Sequence, residues 1–183
     1  GKVVPSTLEI IDRVSIRCVE EYKKAGLPDV EAMLLIEVDG PKDGIERDCA
    51  TVEAICREYG ATEFQAAEGK DEVKKLWEAR RSISASLYRI KPNKINEDIV
   101  VPRSKIAELV EGLGRISKDR GVLIASFGHA GDGNIHVNVM YDKKNESESA
   151  AAEAAVVDVF KLAIGLGGTI SGEHGVGTAK QKY

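Results

Sequence analysis

Two apolar runs of strand length, Val122–Phe127 and Asn134–Tyr141, are separated only by Gly128-His129-Ala130-Gly131-Asp132-Gly133. So tight and glycine-rich a connection makes them a hairpin. Alternation along a strand then assigns the faces. Ile135, Val137, Val139 and Tyr141 point into a core, whereas Asn134, His136, Asn138 and Met140 point the other way. His136 and Asn138 are thus neighbours on one polar surface, and His129 can fold back over it from the preceding connection.

The rest of the chain supplies partners for this hairpin. Ser6 or Thr7 is placed to cap a first helix carrying Leu8, Ile11, Ser15, Cys18, Val19 and Tyr22, ended by Gly26 and Pro28. Residues 31–38 read as a central strand turned by Asp39-Gly40-Pro41. Ile45, Cys49, Val52, Cys56 and Tyr59 recur at helical spacing, and residues 62–67 read as a short strand. A charged helix over 70–87 is followed by a loop, a strand at 97–101 and a helix carrying Ile106, Leu109, Val110, Leu113 and Ile116. After the hairpin come an alanine-rich helix at about 147–165 and a last short strand at 169–171. Two strand–helix–strand halves, the second with an extra hairpin strand, predict an α+β fold of ferredoxin-like character: a mostly antiparallel sheet with helices packed on one face. The other face must be covered too, or be a partner surface. No repeat or low-complexity tract divides residues 1–183 into domains.

Composition narrows the function. With 26 Lys+Arg against 30 Asp+Glu the formal charge is −4, and aromatics make up 5%. That balance argues against nucleic-acid binding, which needs a basic face, and no strand shows paired exposed aromatics of the RNA-binding type. No apolar run approaches the roughly 20 residues of a membrane span, and no secretory leader is evident, so a cytoplasmic protein is expected. Cys18, Cys49 and Cys56 have neither disulfide nor zinc-knuckle spacing and read as buried thiols.

The chemistry concentrates in two glycine-rich tracts. All three histidines lie in Phe127–Asn138 or Gly168–Gly177. Glycines let a backbone turn sharply or approach a ligand, and imidazole and carboxylate are natural ligands of a divalent metal. Glu173 and His174 are adjacent, so an extended backbone would face them opposite ways, one toward the metal and one free for proton transfer.

These tracts resemble the metal and catalytic motifs of the C-terminal substrate domain of FAD-linked D-2-hydroxy-acid dehydrogenases, the family that includes glycolate oxidase and the D-lactate dehydrogenases. The resemblance runs through Trp77-Glu78-Ala79-Arg80, the Lys94–Pro102 segment, the His129-x6-His136 tract with Asn138, and Gly172-Glu173-His174-Gly175-Val176-Gly177. It implies a divalent metal, zinc by ligand type, on His129, His136 and Glu173, with His174 as general base. It further implies Asn138 near the substrate and Arg80 on the substrate carboxylate, with Arg81 its solvated neighbour. Ser84, one turn beyond Arg80, and Lys94 are further substrate-binding candidates. The implied reaction oxidises a small D-2-hydroxy acid, of glycolate or D-lactate type, to the 2-oxo acid by hydride transfer to FAD.

No glycine-rich diphosphate-binding segment precedes residue 127. The resemblance therefore implies a fragment, truncated at both ends and inactive alone, whose FAD is held by another domain. Its expected partners are that flavin domain, other oxidase subunits or an electron acceptor, and a homodimer is conceivable through an uncovered sheet face. Two other readings stay open: a metal-dependent hydrolase using zinc-activated water, and a ferredoxin-like ligand-sensing or assembly module without catalysis.

Overall fold

The computed structural model describes residues 3–178, 180, 181 and 183. In chain order they form β1 (Thr7–Asp12), α1 (Arg13–Lys23), β2 (Ala32–Glu37), α2 (Lys42–Glu58), α3 (Lys70–Leu87), β3 (Asn93–Val100), α4 (Ile106–Arg120), β4 (Leu123–His129), β5 (Asn134–Tyr141) and α5 (Glu146–Gly165). The five strands make one sheet in the order β2-β1-β4-β5-β3, with every pairing antiparallel. Because β3 and β4 both flank β5, they run parallel to each other and are joined through α4. That is the split strand–helix–strand unit of ferredoxin-like folds. The expected last strand is reduced to one bridge, in which Thr169 and Val100 exchange backbone hydrogen bonds of 2.8 and 3.1 Å.

Alternation gives the sheet two different faces. On one, Ile99, Ile124, Ile135, Val137 and Val139 pack with Leu109 and Leu113 of α4 and with Ala152, Ala155, Val159 and Phe160 of α5. The alanines let α5 lie close to the strands, and burial of such side chains contributes about 25 cal/mol per Å² of apolar surface removed from water. The opposite face is covered in part: Ile11, Ala125, Phe127 and Met140 pack with Ile16 and Val19 of α1 and with Ala79, Ile83 and Leu87 of α3. Met140, expected on the polar side of its strand, is buried there beneath the helices. The remainder of that face is polar. No helix of the described residues is long and apolar enough to cross a membrane.

Several local expectations are corrected. The first helix begins at Arg13, because Thr7–Asp12 pairs on both sides as β1. Its cap is Asp12, not Ser6 or Thr7: one carboxylate oxygen accepts from Ser15 N (2.8 Å), the other from Ser126 N (2.6 Å) and Ser126 Oγ (2.8 Å). One residue thus caps α1 and ties it to β4. The helix ends at Lys23 through left-handed Lys24, before Gly26. β2 is an edge strand, not a central one, and Leu34 is exposed on it. Residues 62–67 form no strand, and β3 starts at Asn93, where a loop was expected. α2 keeps its amphipathic pattern but contains no fully buried residue. Cys18 is buried, which pushes its thiol up to about 12, so it is not available as a thiolate ligand. Cys49 and Cys56 are only half-buried.

The β4–β5 turn depends on Gly133, whose φ is +86° and whose carbonyl accepts from Val101 N at 3.1 Å. A Cβ there would lie 2.0 Å from the Val101 carbonyl oxygen. Gly133→Ala is therefore expected to lower stability by about 2–4 kcal/mol, combining left-handed strain with overpacking. Urea denaturation of the two proteins checks this.

Candidate functional site

His129 and His136 of the β4–β5 hairpin meet His174, far along the chain, at one end of the polar face. His129 closes β4 and His136 lies in β5, with Phe127 as its direct cross-strand partner. The His129 and His136 rings meet edge-on with centroids 5.5 Å apart, and His136 stacks on His174 at 5.7 Å. Glu173 Oε1 is 3.4 Å from His136 Nε2. One ligand atom from each of His129, His136 and Glu173 lies within 4.8 Å of the others, a grouping able to hold a metal ion. Burial lowers the His136 pKa, and the nearby His129, Arg80 and His174 push the same way against Glu173. His136 is therefore held neutral, the form in which imidazole binds metals.

Glu173 and His174 do not face opposite ways, because the backbone is not extended there. It curls around Asp98, a fully buried carboxylate on β3. Asp98 Oδ2 accepts from the successive N–H groups of Gly172 (2.8 Å), Glu173 and His174 (2.8 Å). Such a run of amides is a nest for an anion. Asp98 Oδ1 is 3.2 Å from Lys180 Nζ and 3.5 Å from His174 Nδ1. Lys180 also reaches Glu97 Oε2 and the Ile170 carbonyl, each at 2.8 Å. The curl brings His174 Nε2 to 3.8 Å from Glu173 Oε1 on the same side as His136.

Arg80, on α3, donates from Nε (2.7 Å) and Nη2 (2.5 Å) to Glu9 Oε2, and its guanidinium lies 4.6 Å from the Phe127 ring centre. The other oxygen of Glu9 pairs with His129 Nδ1. Glu9, Arg80 and His129 line a cleft of about 520 Å³ together with Trp77, Arg81 and Asp132. Arg81 faces Trp77 and is exposed, as its solvated reading predicts. Further along the same face Lys94 Nζ donates to Ser84 Oγ at 2.8 Å, and burial lowers the Lys94 pKa. Asn138 is fully buried between Ala125 and Asn96, and neither side-chain polar atom has a hydrogen-bond partner among the described residues.

All eight candidate residues therefore belong to one face, but sequence reasoning missed the carboxylates that organise it. Glu9 was hidden by reading residues 7–12 as helix; a lone acid among Leu8, Ile10 and Ile11 was its signal. Asp98 had a weaker signal, since Glu97 precedes it and only Ile99, Val100 and Val101 on its other side are apolar. Lys180 had none.

Burial raises the Asp98 carboxyl, but the N–H groups of His174, Glu173 and Gly172 and the Lys180 ammonium outweigh it and hold the group at about 2. The folded value lies below the ordinary 3.8, so this stabilisation is present above that value and lost as pH falls toward 2. Asp98→Ala, which leaves the Gly172, Glu173 and His174 N–H groups without their acceptor and Lys180 with Glu97 alone as its counter-charge, is expected to cost about 3–5 kcal/mol at neutral pH. Acid titration of stability should lose part of its slope between about pH 4 and 2 in the variant.

Comparison with known proteins adds to this geometry. A family model described as "FAD linked oxidases, C-terminal domain" matches residues 1–183. The glycolate oxidase subunit GlcD of Bacillus subtilis is 45% identical over 184 residues, covering 100% of this chain and 39% of the relative. GlcD of Escherichia coli K12 is 36% identical, with 97% and 36% covered. The mitochondrial D-lactate dehydrogenase [cytochrome] of Arabidopsis thaliana is 30% identical, with 97% and 32% covered. The chain thus spans about two-fifths or less of these relatives' length. The 4-ethylphenol oxidase of Gulosibacter chungangensis shares the fold, with TM-score 0.56 at 15% identity over 89% of this chain and 38% of that one. The chain belongs to the C-terminal domain family of the FAD linked oxidases.

Proposed function

We propose that this chain is the substrate- and metal-binding part of a flavin-dependent oxidoreductase that converts a small D-2-hydroxy acid, of glycolate or D-lactate type, to the 2-oxo acid. The observation that carries the reading is the convergence of His129, His136 and Glu173, with His174 beside them and Arg80 on the same face. The names of the relatives support the substrate class.

The donor set fits a divalent cation. Two imidazoles, one kept neutral by burial, and a carboxylate match the ligand chemistry of a catalytic zinc site with positions left for substrate. His129, His136 and Glu173 would hold it. Such a cation would supply stabilisation of negative charge on a hydroxyl, and a flavin held by a companion domain would supply the hydride acceptor. The chain's own residues do the rest. The guanidinium of Arg80 receives the substrate carboxylate, with Lys94 and Ser84 further along the same face, so the acid is oriented before reaction. His174 takes the hydroxyl proton at Nε2; its Nδ1 is the nitrogen turned toward Asp98. The buried, unpartnered amide of Asn138 is a ready donor and acceptor for a ligand, since an orphaned polar group of this kind costs about 1–3 kcal/mol when left unmet. The polar part of the sheet face is the surface on which the flavin domain would pack.

Zinc content after equilibration and extensive dialysis tests the ligand set. Near-stoichiometric zinc in the parent, lost in His136→Ala, is expected; equal zinc in both would contradict the assignment. In the full-length holoenzyme, Arg80→Met should lower kcat/KM for the hydroxy acid by about 10- to 100-fold, the loss of a charged hydrogen-bonded contact. Steady-state kinetics with glycolate and D-lactate measure it.

A further inference from the structure

We propose that Glu9 is a positioning residue that fixes the tautomer of His129, and that Arg80 determines which oxygen of Glu9 is available to do so. The inference rests on the metal reading above, but it concerns a buried acid to which that reading gives no role.

Glu9 lies in β1 directly opposite His129, and its side chain is only 4% exposed. An isolated carboxylate in such a place is costly, and both its oxygens are used. Oε2 takes both contacts from Arg80, and Oε1 faces His129 Nδ1. An ionised carboxylate only accepts hydrogen bonds, so His129 must carry its hydrogen on Nδ1, the nitrogen that meets Glu9, and Nε2 is the nitrogen whose lone pair is left to serve the cluster with His136 and Glu173. A carboxylate behind a ligating imidazole is the usual way of fixing ring orientation and raising ligand basicity. Here the same carboxylate also anchors Arg80, whose guanidinium lies over the Phe127 ring. The group meant for the substrate carboxylate and a metal ligand are thereby braced by one side chain.

A purely structural alternative is that Glu9 and Arg80 form an ion pair fastening α3 to β1. Glu9→Gln separates the two, because the amide has one oxygen and one NH₂. Arg80 can only donate, so the oxygen turns to Arg80 and the NH₂ faces His129 Nδ1. That nitrogen must then accept, the hydrogen moves to Nε2, and the metal-facing lone pair is lost. Replacing Arg80 by Met in the same chain removes the competing donor, lets the amide turn round, and restores the original tautomer. A second substitution therefore rescues the first, which a fastening role would not produce.

The test is zinc affinity by chelator competition on the parent, E9Q, R80M and E9Q/R80M chains. It is paired with long-range ¹H–¹⁵N correlation of the His129 ring in the zinc-free proteins at about pH 8, above the usual imidazole range. Amide spectra confirm that each variant is folded. Zinc affinity should fall about 10- to 100-fold in E9Q and recover in E9Q/R80M. The ring should change from the Nδ1–H to the Nε2–H form and back. An unchanged tautomer in E9Q, or equal weakening of E9Q and the double variant, would overturn the proposal. If no chain binds zinc yet the tautomer switches and returns, the role of Glu9 stands and the metal reading fails.

Discussion

The Asp98 carboxylate, fully buried on β3, determines where the C-terminal tract can lie. Burial alone would make this anion expensive. It persists because three successive backbone N–H groups and the Lys180 ammonium converge on it. The same contacts impose the curl that sends Glu173 and His174 toward His136. Stability and site geometry are thus linked through one side chain: the candidate metal and proton-transfer residues cannot be repositioned without disturbing a buried ion network.

The sheet beneath supplies rigidity. Its apolar face is packed by α4 and α5, and the other face is shared between a second apolar cluster under α1 and α3 and a polar surface. Candidate residues on strands backed by such a core are held more accurately than on free loops. The polar surface draws on β1, β3, β4, β5, α3 and the C-terminal tract, so no single supersecondary unit contains the site. The chain belongs to the FAD linked oxidase C-terminal family and spans 39% of the GlcD subunit of Bacillus subtilis.

Much of this was legible from local pattern. The alternation of Asn134–Tyr141 sorted His136 and Asn138 from Ile135, Val137 and Val139, and the helices expected over 70–87 and about 147–165 are α3 and α5. What failed has a common cause. Leu8 and Ile11 suit a helix as well as a strand, and only pairing with β2 and β4 decides. The edge position of β2 is likewise a long-range fact, invisible in an apolar run. Glu173 and His174 share one side because of Asp98, a contact spanning 75 residues in sequence for Glu173. Glu9 and Asp98 border apolar residues in sequence, but what each carboxylate pairs with emerges only when the strands are assembled.

On the proposed function, two imidazoles and a carboxylate from this chain form one cation site. X-ray absorption at the zinc edge of the zinc-loaded chain tests it most directly. The expected spectrum has a first shell of nitrogen and oxygen only, at about 2.0–2.1 Å, with outer-shell scattering from two imidazole rings. A sulfur shell at about 2.3 Å, or a shell of oxygen without imidazole scattering, would contradict it.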